Sequence, residues 1–136
     1  MSKMIFINLP VTDLEGSTRF YEALGATKNP QFSNENAACM MLCDTIGVMI
    51  LTHDYYGSFT KRPIADAKAT SQMLLALTVE AHADVDRVLS AATAAGGRPD
   101  PNPPQDHGFM YGHGFQDIDG HIWELVYMAP EPVQSL

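Results

Sequence analysis

The chain has 136 residues, 46% of them hydrophobic and 18% charged, which suits one globular domain with a buried core. Acidic residues outnumber basic ones 16 to 8, for a formal charge of -8, so phosphate backbones and anionic lipid surfaces are repelled and neither nucleic acid nor a membrane is an expected partner. No apolar run approaches the roughly 20 residues of a spanning helix. The opening MSKMIFINLPVTD also lacks the long apolar stretch and small-residue cleavage site of a secretory signal, so a cytoplasmic location is expected.

In chain order, Met4 to Val11 mixes apolar and β-branched residues without helical spacing and predicts a strand. Thr12-Asp13-Leu14-Glu15 has the form of a capping box, with Thr12 as the cap. Leu14, Ser17, Phe20, Tyr21 and Leu24 then share a helical face, and Gly25 supplies the stop. Three extended pieces are predicted near Pro30–Ser33, Ala37–Cys43 and Gly47–His53, separated by turn-forming clusters. On an extended segment Cys39 and Cys43 stand about 13 Å apart at ~3.3 Å per residue, too far to bridge, and read as two reduced thiols.

The order then recurs: a strand over Met73–Val79, a helix marked by Val85, Val88, Leu89 and Ala92 and ended by Gly96-Gly97, and a proline-rich connection. Two strands, Phe109–Gln116 and His121–Met128, follow around Asp117-Ile118-Asp119-Gly120. Leu9-Pro10-Val11 matches Leu77-Thr78-Val79 at an offset of 68 residues, which points to an internal duplication. The expected architecture is therefore α+β: two tandem βαβββ modules whose curved sheets enclose a shared cavity. Module one takes residues 1–56, a linker or lid 57–71 and module two 72–130, together one domain over 1–130, with 131–136 as a flexible tail. One helix per four-stranded half leaves a sheet face uncovered, and a pocket between modules is a preferred place for a small molecule.

The residues Asn8 to Gly25 (NLPVTDLEGSTRFYEALG) and Phe115 to Leu125 (FQDIDGHIWEL) resemble the opening and closing signatures of the vicinal oxygen chelate superfamily of glyoxalases, bleomycin-resistance proteins and extradiol dioxygenases. The stretches DHGFMYG, DGHIWE and PIADAK are similar to the subgroup described as predicted lactoylglutathione lyases. The resemblance covers about residues 4 to 128. It implies one divalent metal held by His, Glu or Gln on the first and last strand of each half, and a homodimer. Carried onto this chain, those four positions fall at Phe6, Ile50, Leu74 and Glu124, of which Glu124 alone is a ligand type. A catalytic metal needs about three protein ligands, so no metal and no other cofactor is expected.

Glu124 alternates with Ile122 and Val126, placing a carboxylate on an apolar strand face, where it can anchor a ligand or transfer a proton. A plain strand-edge glutamate reaching solvent is the alternative. If Asp117 and Gly120 close a two-residue turn, His113 lies across from Glu124 and Tyr111 across from Val126. His113 and Glu124 would then form a proton-handling pair, which a one-residue slip in register would undo. Phe6, Asn8, Ile50, Leu74, His107 and Tyr111 are the expected substrate-binding residues, with His107 bordering the pocket mouth or simply solvated beside Asp106. His82 begins a helix and is expected to be solvent-exposed. Tyr55 to Phe59 form an aromatic, glycine-hinged stretch suited to a lid or an interface.

Three functions compete: a metal-independent protein binding a small, largely apolar molecule; a metal-dependent glyoxalase-type lyase with atypical ligands; and a non-catalytic dimer. The third uses the aromatic loop as its contact surface.

Overall fold

A computed structural model describes residues 3–130, so the predicted tail over 131–136 lies outside the described residues. The chain divides after Thr70 into two compact units. In the first, β1 (Ile5–Val11) leads into α1 (Leu14–Ala23), then β2 (Thr27–Asn29), a single 3-10 turn (Pro30–Phe32), β3 (Ala37–Met41), β4 (Ile46–Thr52) and the short α2 (His53–Tyr56). The second carries β5 (Leu75–Val79), α3 (His82–Ala94), the two-residue strands β6 (Arg98–Pro99) and β7 (Gln105–Asp106), β8 (Met110–Gln116) and β9 (Ile122–Met128). Each unit folds one helix onto one open sheet, the βαβββ pattern expected. No helix among the described residues is long and apolar enough to cross a membrane.

Both sheets share a wiring. The order is β1-β4-β3-β2 in the first and β5-β9-β8-β6 in the second, with β7 also pairing β8. The first and last long strands of each unit run parallel and the rest are antiparallel. A parallel pair requires a crossover, and the helix that makes it must lie on one face of the sheet. Thus α1 packs on β3 and β4, and α3 on β8 and β9. The covered face of the first sheet holds Leu9, Val11, Ala38, Met40, Val48 and Ile50, all at most 4% exposed, against Phe20 and Tyr21 of α1. In the second, Phe115, Trp123 and Leu125 are buried beneath α3, which contributes Val85 and Ala92. Each such apolar side chain contributes roughly 1.5–3 kcal/mol on burial.

Local chemistry departs from the predictions at three points. The α1 cap is Asp13 rather than Thr12: its Oδ1 accepts from the Gly16 backbone N–H at 3.1 Å. The strand predicted to run through His53 instead stops at Thr52, whose hydroxyl accepts from Tyr55 N–H at 3.3 Å and starts α2. Pro30–Ser33 forms a 3-10 turn, and the second strand of the unit lies just before it. Both long helices end as predicted, Gly25 and Gly96 taking φ of 103° and 107° beyond the last turn.

The thiols differ in environment. Cys39 is fully buried, which pushes its thiol above the ordinary range, whereas exposed Cys43 is drawn below it by hydrogen bonds from the Thr45 backbone and hydroxyl. Iodoacetamide is therefore expected to modify Cys43 in the native protein and to reach Cys39 only on unfolding. Peptide mass mapping checks this, and equal labelling of both would contradict it.

Candidate functional site

Pleating sorts each strand's side chains onto two faces, so the register decides which residues can meet. On the uncovered face of the first sheet, Phe6 lies beside Gly47 and Gly47 beside Met41. In the next row Asn8 lies beside Met49 and Met49 beside Cys39. Gly47 leaves a hollow there. A Cβ at that position would stand 2.9 Å from both the Phe6 ring and the Met41 sulfur, which lean into the hollow that the missing side chain leaves. Phe6 is 45% exposed, and Asn8 is exposed with its amide donating to the Phe6 carbonyl at 3.3 Å.

The uncovered face of the second sheet centres on Glu124, which is half-buried. Its in-register neighbours are Ala76 on β5 and Gly114 on β8; the row beyond holds Thr78, Val126 and Gly112. Two very small residues therefore flank the carboxylate, and beyond Gly114 the Asp100 side chain enters the same face, its Cβ 3.8 Å from where a Gly114 Cβ would stand. Among the described residues of β5, β9 and β8, Glu124 is the ionisable group on this face, and at the outer edge Asp100 joins it beyond Gly114 and Arg98 beyond Gln116.

The β8–β9 turn corrects the predicted pairing. Asp117 and His121, rather than Asp117 and Gly120, close the ladder: Asp117 N–H donates to the His121 carbonyl at 2.9 Å, and Gly120 N–H to the Asp117 carbonyl at 3.1 Å. The buried Asp117 Oδ1 accepts from the N–H groups of Asp119 and His121 at 3.0 and 2.9 Å. Gly120 takes φ of 97°. The loop thus has three residues, a turn closed by a left-handed glycine. One extra residue shifts the register by one, so Glu124 faces Gly114 while His113 faces Leu125 and Tyr111 faces Tyr127.

The expected His113–Glu124 proton-handling pair consequently does not form, because the two side chains point to opposite faces. His113 Nε2 lies 2.8 Å from the Asn102 carbonyl and 3.3 Å from that of Asp100, tying the proline-rich connection to β8. Tyr111 likewise turns to the helix side, where its hydroxyl donates to Asp86 Oδ1 at 2.8 Å and its ring stacks on His82 with centroids 4.0 Å apart. Ile50 is also corrected. It shares a row with Leu9 on the covered face and is fully buried, while Gly47, Met49 and Leu51 take the Phe6 side. Met49 stands two residues past Phe6's partner on β4. Glu124 stands likewise on β9 relative to the row that Leu74 extends, so Met49 is its counterpart. Leu74 precedes β5 and is 58% exposed. His107 is exposed in the turn before β8, its ring near Phe109 with centroids 6.3 Å apart.

Of the expected residues, then, Phe6 and Asn8 come together on one uncovered face and Glu124 occupies the other. Met49, Met41 and Gly114 were missed; strand alternation marks the two methionines, but Gly114 follows only from the true loop length. The donors do not fit a hard divalent ion: Phe6, Asn8, Gly47 and Met49 supply neither imidazole nor carboxylate. Among the described residues no three of His, Cys, Asp and Glu come together as a metal site.

These two helix-backed sheets and their register are the fold of a known superfamily. Residues 3–125 match the family model described as the Glyoxalase/Bleomycin resistance protein/Dioxygenase superfamily, and the chain belongs to that superfamily. Solved structures agree on the fold. A glyoxalase-related enzyme from Fulvimarina pelagi superposes with a TM-score of 0.78 at 23% identity, covering 99% of this chain and 94% of its own. A hypothetical protein from S. aureus gives 0.77 at 24%, covering 93% and 94%. The genomically encoded fosfomycin resistance protein FosX from Listeria monocytogenes gives 0.68 at 22%, covering 97% and 95%. No curated protein matches the chain.

Two predictions follow from the geometry. Gly114→Ala places a Cβ 2.9 Å from the Trp123 carbonyl oxygen, a backbone clash expected to cost about 1–3 kcal/mol in chemical denaturation; an unchanged midpoint would contradict the register. The hydrogen bond to Asp86, with burial, holds the Tyr111 phenol above its ordinary value. The folded value exceeds the unfolded one, so this link's stabilisation is intact below about pH 10 and is lost as pH rises through the folded value. Absorbance at 295 nm should show a late-titrating component, and Asp86→Asn should bring that component down.

Proposed function

We propose that the protein binds a small, largely apolar molecule on the sheet face that α3 leaves uncovered, with Glu124 as the group that orients it. The carrying observation is the setting of that carboxylate: half-buried on an apolar strand face with Ile122 and Val126, it has only the small residues Ala76 and Gly114 as in-register neighbours. A ligand bearing a hydrogen-bond donor gains a charge-assisted bond there, and its apolar body gains the burial of Val126 and Thr78. Phe6 and Asn8 play the matching roles on the first sheet, an exposed ring and an amide. Superfamily membership supports a small-molecule ligand, and the donor set supports binding without the family's divalent metal.

We place this activity in a homodimer, by analogy with the superfamily, and in the cytoplasm, the location that two reduced thiols suggest. Glu124 serves as an anchor. Proton relay through His113 is not part of the proposal, since that imidazole is bound to backbone carbonyls on the opposite face.

A thermal-shift screen over a diverse metabolite panel should find compounds that raise the melting temperature, because a ligand at 100 times its Kd stabilises by about 2.7 kcal/mol. Glu124→Gln should then weaken binding of such a compound by about 10- to 100-fold, the worth of a charged hydrogen bond, with the fold intact. Unchanged affinity in the variant overturns the anchor. Stoichiometric nickel, zinc or iron in protein purified without chelator overturns the metal-free reading.

A further inference from the structure

The uncovered face of the first sheet carries a cluster that small-molecule binding leaves unused. Cys39 and Met41 are two residues apart on β3 and so share a face; the Cys39 thiol lies 3.6 Å from the Met41 sulfur. Met49 is the in-register partner of Cys39 across β4, which puts its side chain on the same face within about 4.5–5.5 Å at Cβ. Two sulfurs therefore meet at one place, and the Met49 side chain starts from the neighbouring position on the same face, within reach of both. Met40, by contrast, points into the helix-covered core and is fully buried.

Geometry and charge both bear on what such a cluster can hold. Two sulfurs bound to one ion at about 2.3 Å, the length of a zinc–thiolate bond, and 120° apart stand about 4 Å from each other. The observed 3.6 Å is within a small side-chain adjustment of that spacing, and methionine's flexible thioether can make it. Thiolate and thioether donors select soft ions such as Cu(I) over the oxygen-loving divalent ones. Charge then chooses the valence. The rows Phe6–Gly47–Met41 and Asn8–Met49–Cys39 contain no charged side chain. One thiolate neutralises a monovalent ion, whereas a divalent one would leave an unpaired positive charge on an apolar surface.

We propose that Cys39, Met41 and Met49 form a binding site for a soft monovalent metal ion of the Cu(I) and Ag(I) class. On binding, the Cys39 S–H bond breaks, its proton leaves to solvent and the sulfur lone pair forms the bond to the ion; no electron is transferred. The half-buried thioethers of Met41 and Met49 are the first sulfurs an arriving ion meets, and they pass it to the thiol beneath. Phe6, leaning on the Met41 sulfur, closes one side. This site stands independently of Glu124 and of any organic ligand.

The test uses Ag(I), which is redox-inert, on the full chain carrying Cys43→Ser so that the exposed thiol cannot compete. Native mass spectrometry should show one Ag(I) retained per chain with loss of one proton, and no Zn(II) retained from an equimolar mixture. Cys39→Ser should abolish retention. Met41→Leu and Met49→Leu should each weaken it at least about tenfold in competition with a soluble thiol chelator, while Met40→Leu on the covered face should leave it unchanged. Absence of bound Ag(I), retention that survives Cys39→Ser, or equal effects of Met40→Leu and Met41→Leu would each overturn the proposal. Should Cys39→Ser fail to fold by circular dichroism, the methionine comparison decides alone.

Discussion

A single buried carboxylate decides what the second sheet offers to a ligand. Asp117 Oδ1 gathers the N–H groups of Asp119 and His121 and makes a three-residue loop of Ile118, Asp119 and Gly120. That loop length sets the β8–β9 register, and the register sets the facing of every side chain from Met110 to Met128. With a two-residue loop, Glu124 would confront an imidazole; with three, it confronts a glycine. The character of the face, a carboxylate between two very small in-register neighbours, follows from a turn several residues away.

The same logic explains which parts of the molecule were legible in the sequence. Strand–helix order and the glycine stops at Gly25 and Gly96 leave strong periodic or conformational marks. Facing is different, since it hangs on a count. Ile50 and Met49 are equally apolar and adjacent, and periodicity does not say which one turns toward Phe6; the parallel pairing of Leu9 with Ile50 does. Tyr111 and Asp86 are separated by 25 residues, and nothing local announces their hydrogen bond.

The two units repeat one plan with different furniture. The covered faces are alike, packed with branched aliphatic and aromatic side chains beneath a helix. On the uncovered faces, corresponding rows hold Met49 in one unit and Glu124 in the other, a soft neutral donor against a hard anion. A shared scaffold with divergent open faces lets side chains such as those at Met49 and Glu124 change without entering the helix-packed core.

The topology also leaves β1 and β5 at the borders of their sheets, each bonded to a neighbour strand on one side in the ladder. A border strand offers main-chain groups that a foreign extended segment can adopt. Pro10 sits in one of these strands, a residue that sheets accept at their margins because it lacks an amide hydrogen. The surplus of eight negative charges adds mutual repulsion between molecules. Rising salt screens that repulsion but leaves the proline untouched, so at high ionic strength Pro10 still guards the β1 border.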